Sequence, residues 1–391
     1  MGLYTEYNKS QSILRKYINK KIVLCYYNKD LFYETEEDMN MKGDKYVAYA
    51  ATYTQGNDKG IQIYDVDVNA GRMTAREQVT ITNPSYFTIS HNLNFLYSIT
   101  DLGVEAFKIL PDGGLEFVNQ APINGMRGCY ISTDYTDQFI FVAGYHDGKI
   151  TVLRIREDGG VGEITDEVFH KGMGSISERN FRPHVSCVKM TRDNHYLCAA
   201  DLGLDHVKIY RFDEKTGKIK LIDVVRCELE SAPKYIKFRK DGKFAYIIHE
   251  LKNIIDVYSY EEENGYPKFT KIQTISTLNE YHAGGSAACA MKFSIDNKYL
   301  VCSNAGDNSV GVFSIDAKTG LLTKKFVLPI SGDYPKDIAI FPNTKYLVSL
   351  NHESDTMTFF HADMEKNTIV MNGREIKINK GNCIVILKVN E

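Results

Sequence analysis

Alternating apolar and polar positions run through the chain in short bursts, and six of these bursts share one frame. Aligning the pairs Leu96-Tyr97, Ile140-Phe141, Leu197-Cys198, Ala245-Tyr246, Leu300-Val301 and Leu347-Val348 brings the same sequence of elements into register each time. Before each pair lies an alternating stretch and a turn rich in Ser, Asp, Asn or Gly, as in "VKMTRDNHYLC", "IKFRKDGKFAY" and "MKFSIDNKYLV". After it come a polar turn and a second alternating stretch, as in "DHVKIYRF" and "NSVGVFSI". A period of two places successive side chains on opposite faces, so each stretch predicts a β-strand. Four of the units add a hairpin centred on glycine, "PDGGLEF", "EDGGVGEI", "EKTGKIKL" and "AKTGLLTK". Each unit is therefore expected to be a four-stranded antiparallel meander.

The leading residues 96, 140, 197, 245, 300 and 347 recur every 44 to 57 residues or so, which is the spacing of propeller blades. One meander cannot bury both of its faces, so the units must stack about an axis. Residues 45–82 supply the later strands of a further blade, and "NCIVILKVN" (382–390) supplies its missing strand from the other end of the chain. The expected fold is all-β: a seven-bladed β-propeller of four-stranded antiparallel blades, its ring closed by the C-terminal strand. It occupies residues 45–391 as a single domain. Residues 1–44 form an N-terminal extension whose acidic run "YETEEDMNMKGD" reads as a solvated loop. The long insertion after blade three, "FHKGMGSISERNFRPH", is a place where function can be carried on a rigid scaffold.

Composition narrows the function classes. The 391 residues are 43% hydrophobic, enough for a large core, and the net charge is −3 with basic residues scattered. Nothing in that distribution points to nucleic acid or an anionic membrane. The N-terminus lacks the apolar segment of a secretory signal, no run is long enough to span a bilayer, and the expected location is the cytoplasm. Eight cysteines without C-x-x-C spacing read as small buried hydrophobes of a reduced protein, with no metal or cofactor called for. Oligomeric state is not legible.

No P-loop, G-x-S-x-G, H-E-x-x-H, EF-hand or G-x-G-x-x-G pattern is present, and the absence of Trp excludes the W-D signature of one large propeller class. The run "FHKGMGSISERNFRPHVSCVKMTRDNHYLCAADLGLDHVKIY" instead resembles the H-x-G-x-G, R-Q, P-H-x-H and D-L-G-x-D stretch of the lactonase family of seven-bladed propellers. That family includes bacterial 6-phosphogluconolactonases of the propeller type and fungal carboxymuconate cyclases. The resemblance extends in order over residues 45–390. It implies an active site in a cleft at one end of the central channel, built from a histidine, arginines and a glutamate. His170, Gly172, Gly174, Arg179, His184, Asp201, Leu202, Gly203, Asp205 and Glu250 match the family pattern. Ser186 stands where the second histidine of P-H-x-H is expected, Lys234 and Lys336 replace arginines, and Ala305 replaces another.

On this basis Glu250, His184 and Lys234 are the expected catalytic residues, the first two moving protons and the lysine facing the oxyanion of an opening lactone. His184 and Ser186, two apart on a strand, can face one cleft. Ser186, Arg179, Lys336, His352, Asp201 and His170 are the expected substrate-binding residues, and the expected substrate is a small anion, a lactone or carboxylate. The leading expectation is a metal-independent lactonase opening a sugar or phosphosugar lactone. The alternatives are a muconate-type lactonizing cyclase or isomerase, and a propeller without catalysis that serves as a binding module.

Overall fold

The computed structural model describes residues 23–27, 30–34, 44–54, 59–175, 180–282 and 284–389. Two compact units are present, Met1–Lys45 with Lys388–Glu391, and Tyr46–Leu387. In the first, Val23–Tyr27 and Asp30–Glu34 pair as an antiparallel hairpin. The second is the propeller, and among the described residues it contains no helix.

Seven sheets follow one another along the chain. Six are meanders of four consecutive strands, the blade-seven meander having an added short strand, Ile376–Lys377, on its third. In blade one the order is Gly381–Val389, then Lys45–Thr52, Gly60–Asp67 and Arg72–Thr80, so the closing strand comes from the other end of the chain, as expected. The inner strands of blades two to seven are Phe87–Ile89, Tyr130–Thr133, Val185–Met190, Pro233–Phe238, Ala287–Phe293 and Pro335–Ile340. Between blades, apolar faces meet in cores such as that of Phe139, Phe141, Val188, Met190, Leu197, Tyr210 and Ile236.

The recurring glycine hairpins have a packing role that explains their place in the frame. A tyrosine on the second strand of one blade donates its hydroxyl to the hairpin glycine of the next: Tyr97 to Gly159 O at 2.9 Å and Tyr246 to Gly320 O at 2.8 Å. The same glycine lies flat on an aromatic ring at the start of that strand. A Cβ at Gly320, whose φ is +72°, would stand 2.3 Å from the Phe244 ring. Gly320→Ala combines a left-handed backbone with a clash, so it is expected to cost about 2–4 kcal/mol. Urea denaturation measures this directly, and a change below about 0.5 kcal/mol would remove the hairpin from the set of blade-to-blade anchors.

Candidate active site

In an antiparallel meander the start of the inner strand and the end of the second strand lie at the same end of the blade. Around the ring these points form one mouth of the channel, and there a cleft of about 340 Å³ opens. Each blade supplies one residue from the same frame position, on or just before the start of its inner strand: Asn382, Ser85, Cys129, Ser186, Lys234, Cys289 and Lys336. Turns beside them add Tyr53, Tyr145, Leu202, Glu250 and Tyr334, while Tyr86 and Tyr235 form the floor. Tyr130 joins that floor, its ring 4.5 Å from Tyr86 and 5.5 Å from Tyr235.

Backbone irregularity aims these side chains. The inner strands of blades four, five and seven break register between Val185 and Cys187, Pro233 and Tyr235, and Pro335 and Asp337. Ser186, Lys234 and Lys336 are the extra residues of these three bulges. A bulge turns its unpaired residue away from the regular pleat, which lets it face the cleft together with the neighbour that follows it.

Small residues at this position stitch the blades, whereas long ones reach into the cleft. Ser85 Oγ donates to Gly128 O at 2.9 Å, and Ser186 Oγ donates to Lys234 O at 2.9 Å. Lys234 Nζ lies 2.7 Å from Glu250 Oε2 and 3.2 Å from Cys289 Sγ. Lys336 Nζ donates to Asn382 Oδ1 at 2.7 Å and stands 4.9 Å from the centre of the Tyr53 ring. Among the described residues no carboxylate lies within ion-pair distance of Lys336.

The two lysines therefore differ electrically. Burial works against both ammonium groups. At Lys234 it is overcome by Cys289, Glu250 and Tyr235, and the group is held well above the usual lysine range. At Lys336 burial prevails, partly offset by Cys289 and reinforced by the neighbouring Lys234, and its pKa is lowered to about 8. Lys234 is a compensated, permanently charged cation. Lys336 is an uncompensated one that titrates near neutrality.

Of the residues expected from the sequence, Glu250, Lys234, Lys336 and Ser186 share this cleft. Two histidines do not reach it. His184 stacks on Tyr145 with ring centroids 4.2 Å apart, and its Nδ1 donates to Tyr145 O at 2.7 Å. Burial, its largest influence, holds His184 below the usual histidine range, so it backs Tyr145 as a neutral ring. His352 likewise backs Tyr53 and Tyr334, with Nδ1 donating to Gly381 O at 3.0 Å.

His170 and Asp201 belong to a closed network outside the cleft. His170 Nδ1 meets Asp201 Oδ2 at 2.6 Å and its Nε2 meets the Tyr210 hydroxyl at 3.0 Å, with both side chains of the pair fully buried. Asp201 Oδ1 accepts the backbone N–H groups of His184, Gly203 and Leu204. These contacts correct the expectation that His170 and Asp201 touch substrate, because every polar atom aimed outward is already engaged. Ser186 is corrected in part: it lines the wall, but its one proton serves backbone carbonyls. Arg179 lies outside the described residues.

Sequence reasoning missed Tyr53, Tyr86, Tyr145, Tyr235, Tyr334 and Asn382. The ring faces and hydroxyls of the five tyrosines suit an amphipathic, hydroxylated ligand. The residues Cys129, Cys187, Cys198, Cys227, Cys289, Cys302 and Cys383 are free thiols.

A sequence model of the family "Lactonase, 7-bladed beta-propeller" matches residues 47–386. The chain belongs to that lactonase family. Among curated relatives, the 6-phosphogluconolactonase of Bacillus subtilis is 28% identical over 349 residues, 88% of this chain and 99% of that protein. An uncharacterized Staphylococcus saprophyticus protein is 30% identical, covering 87% of this chain and 99% of that one. Among solved structures, a candidate 6-phosphogluconolactonase of Bacteroides fragilis superposes with a TM-score of 0.79 at 29% identity over 88% of this chain and 98% of that one. The periplasmic gluconolactonase of Pseudomonas aeruginosa gives a TM-score of 0.82 at 24% identity, covering 88% and 99%, and this lactonase-family member shares the fold.

Proposed function

We propose that this protein hydrolyses the lactone of an anionic sugar in the channel cleft, 6-phosphogluconolactone being the substrate that best fits its charges. The observation that carries this reading is the convergence of Glu250, Lys234 and Lys336 on one tyrosine-walled cleft. Water attacks the lactone carbonyl carbon and passes a proton to the Glu250 carboxylate. Lys234 Nζ, 2.7 Å from that carboxylate, faces the negative oxygen of the tetrahedral intermediate. Collapse breaks the bond to the ring oxygen, which takes the proton from Glu250 and leaves as a hydroxyl on the opened acid. Lys336, without a carboxylate of its own, holds the substrate's remote phosphate. A lysine does so as a point charge, with less geometric demand than a forked arginine.

The test is acid release from glucono-δ-lactone and from 6-phosphoglucono-δ-lactone. Both should open faster than in buffer, the phosphorylated one at lower KM. Lys336→Met is expected to raise KM for the phosphorylated lactone by about 10- to 100-fold, the worth of a charge-assisted contact, with little change for the neutral one. No acceleration of either lactone would refute the reading. Because the Lys336 ammonium is lost as pH rises through about 8, inhibition by 6-phosphogluconate should weaken between pH 7 and 9. In Lys336→Arg, which stays charged, that weakening should be absent.

A further inference from the structure

Beneath the tyrosine floor the channel carries a second set of cations that the proposed reaction does not use. In blades four, five and six, the residue three places beyond the cleft position is a lysine: Lys189 after Ser186, Lys237 after Lys234, Lys292 after Cys289. At about 3.3 Å per residue, these lysines lie up to roughly 10 Å further along the channel, on three adjacent inner strands.

All three are half-buried, and their partners are too few. Lys292 Nζ stands 3.0 Å from Asp337 Oδ2, an oxygen that also accepts the Ile384 N–H at 2.9 Å. Lys189 Nζ is 5.8 Å from the Tyr135 ring, which Arg192 faces as well at 5.1 Å. Among the described residues Lys237 has neither an ion pair nor a hydrogen-bond partner. Among the described residues Asp337 is thus the one carboxylate ion-paired with any of these three lysines of adjacent inner strands. Burial, then repulsion from Lys292, lowers Lys237 to about 7, with Asp337 opposing, Lys189 adding to the fall and Cys187 opposing. Burial lowers Lys189 to about 8. Uncompensated cations in a secluded channel are unfavourable until an anion joins them.

We infer that this lysine tier is a binding site for a small free oxyanion of the phosphate or sulfate class, separate from the substrate anion position at Lys336. Lysines at the same position of three adjacent inner strands can offer ammonium donors to a tetrahedral oxyanion, and Asp337 leaves Lys189 and Lys237 as the members without an ion pair. The bound anion would tie the inner strands of blades four, five and six together from inside the channel.

The experiment is thermal unfolding of the full chain in sulfate against chloride at matched ionic strength, on wild type, Lys237→Met and Lys336→Met. Wild type should gain Tm with the logarithm of sulfate concentration. Lys237→Met should need at least about tenfold more sulfate for the same gain, while Lys336→Met, which loses only the cleft's anion position, keeps most of the wild-type response. Met matches the lysine stem and removes an unpaired buried charge, so Lys237→Met in anion-free buffer should be at least as stable as wild type, which separates lost binding from lost folding. Sulfate carries no proton in this range, so its effect should shrink as pH rises from 6.5 to 8.5 and Lys237 discharges. An undiminished sulfate response in Lys237→Met overturns the site. Loss of the response in Lys336→Met alone moves the anion to the cleft and overturns it too. In a parallel arm, 6-phosphogluconate should still stabilise Lys237→Met. If that stabilisation vanishes, the tier is the substrate's phosphate position and the separate site is refuted. None of these readings needs turnover, so they stand or fall independently of lactone hydrolysis.

Discussion

Glu250→Gln should lower kcat for lactone opening by about two to four orders of magnitude, the range of a positioned general base. Gln keeps the shape and an oxygen for Lys234 but cannot take a proton from water. The flanking backbone is anchored independently of the side chain, Glu250 N–H donating to Ala232 O at 2.8 Å, so the turn should hold its place. Circular dichroism and binding of 6-phosphogluconate would establish that the cleft is intact. Steady-state rates equal to wild type would take Glu250 out of the proton transfer and leave Lys234 as the principal group of the cleft.

Asp201→Ala should destabilise the fold by about 3–5 kcal/mol without changing the identity of any cleft residue. The substitution strands the backbone donors of His184 and Gly203, leaves Leu204 N–H only its bond to Asp201 O at 3.3 Å, and strips the buried ring of His170 of its Nδ1 partner. Asp201→Asn should cost much less, about 1 kcal/mol, because its carbonyl still serves the three N–H groups and His170 can accept from the amide by changing tautomer. Urea midpoints measure both, and equal costs would mean that the carboxylate's charge rather than its acceptor geometry holds the turn. His170 adds a pH signature. Burial, opposed by Asp201, places its pKa below 6.5, so its contribution is complete above that value and declines as pH falls below it. Wild type should therefore lose stability on acidification below about pH 6.5.

The repeat frame was legible because alternation, polar turns and glycine hairpins are local signals that recur. The cleft was half legible for a related reason. Every inner strand contributes the same position, and that position could be read off the frame for all seven blades. Its charged members, Lys234 and Lys336, suggest chemistry by their type, whereas Ser85, Cys129, Cys289 and Asn382 do not. The bulges that aim Ser186, Lys234 and Lys336 leave little trace in sequence beyond the proline preceding each lysine. Histidines misled because their partners are distant. Tyr210 is 40 residues from His170, and Tyr145 is 39 from His184. No spacing rule distinguishes a histidine that closes a buried network from one that faces water.

The closing strand carries a consequence for how the molecule matures. Asn382, the residue that receives the Lys336 ammonium, rides on Gly381–Val389, and its own amide donates to Pro84 O at 3.3 Å, 298 positions away in sequence. Pairings of such separation form late, after the entropy of closing a very long loop has been met. The anion-holding half of the cleft therefore comes into being at the same moment as the ring is sealed. Recovery of activity during refolding would then act as a clock for that last step, lagging behind the return of β-structure in blades two to six.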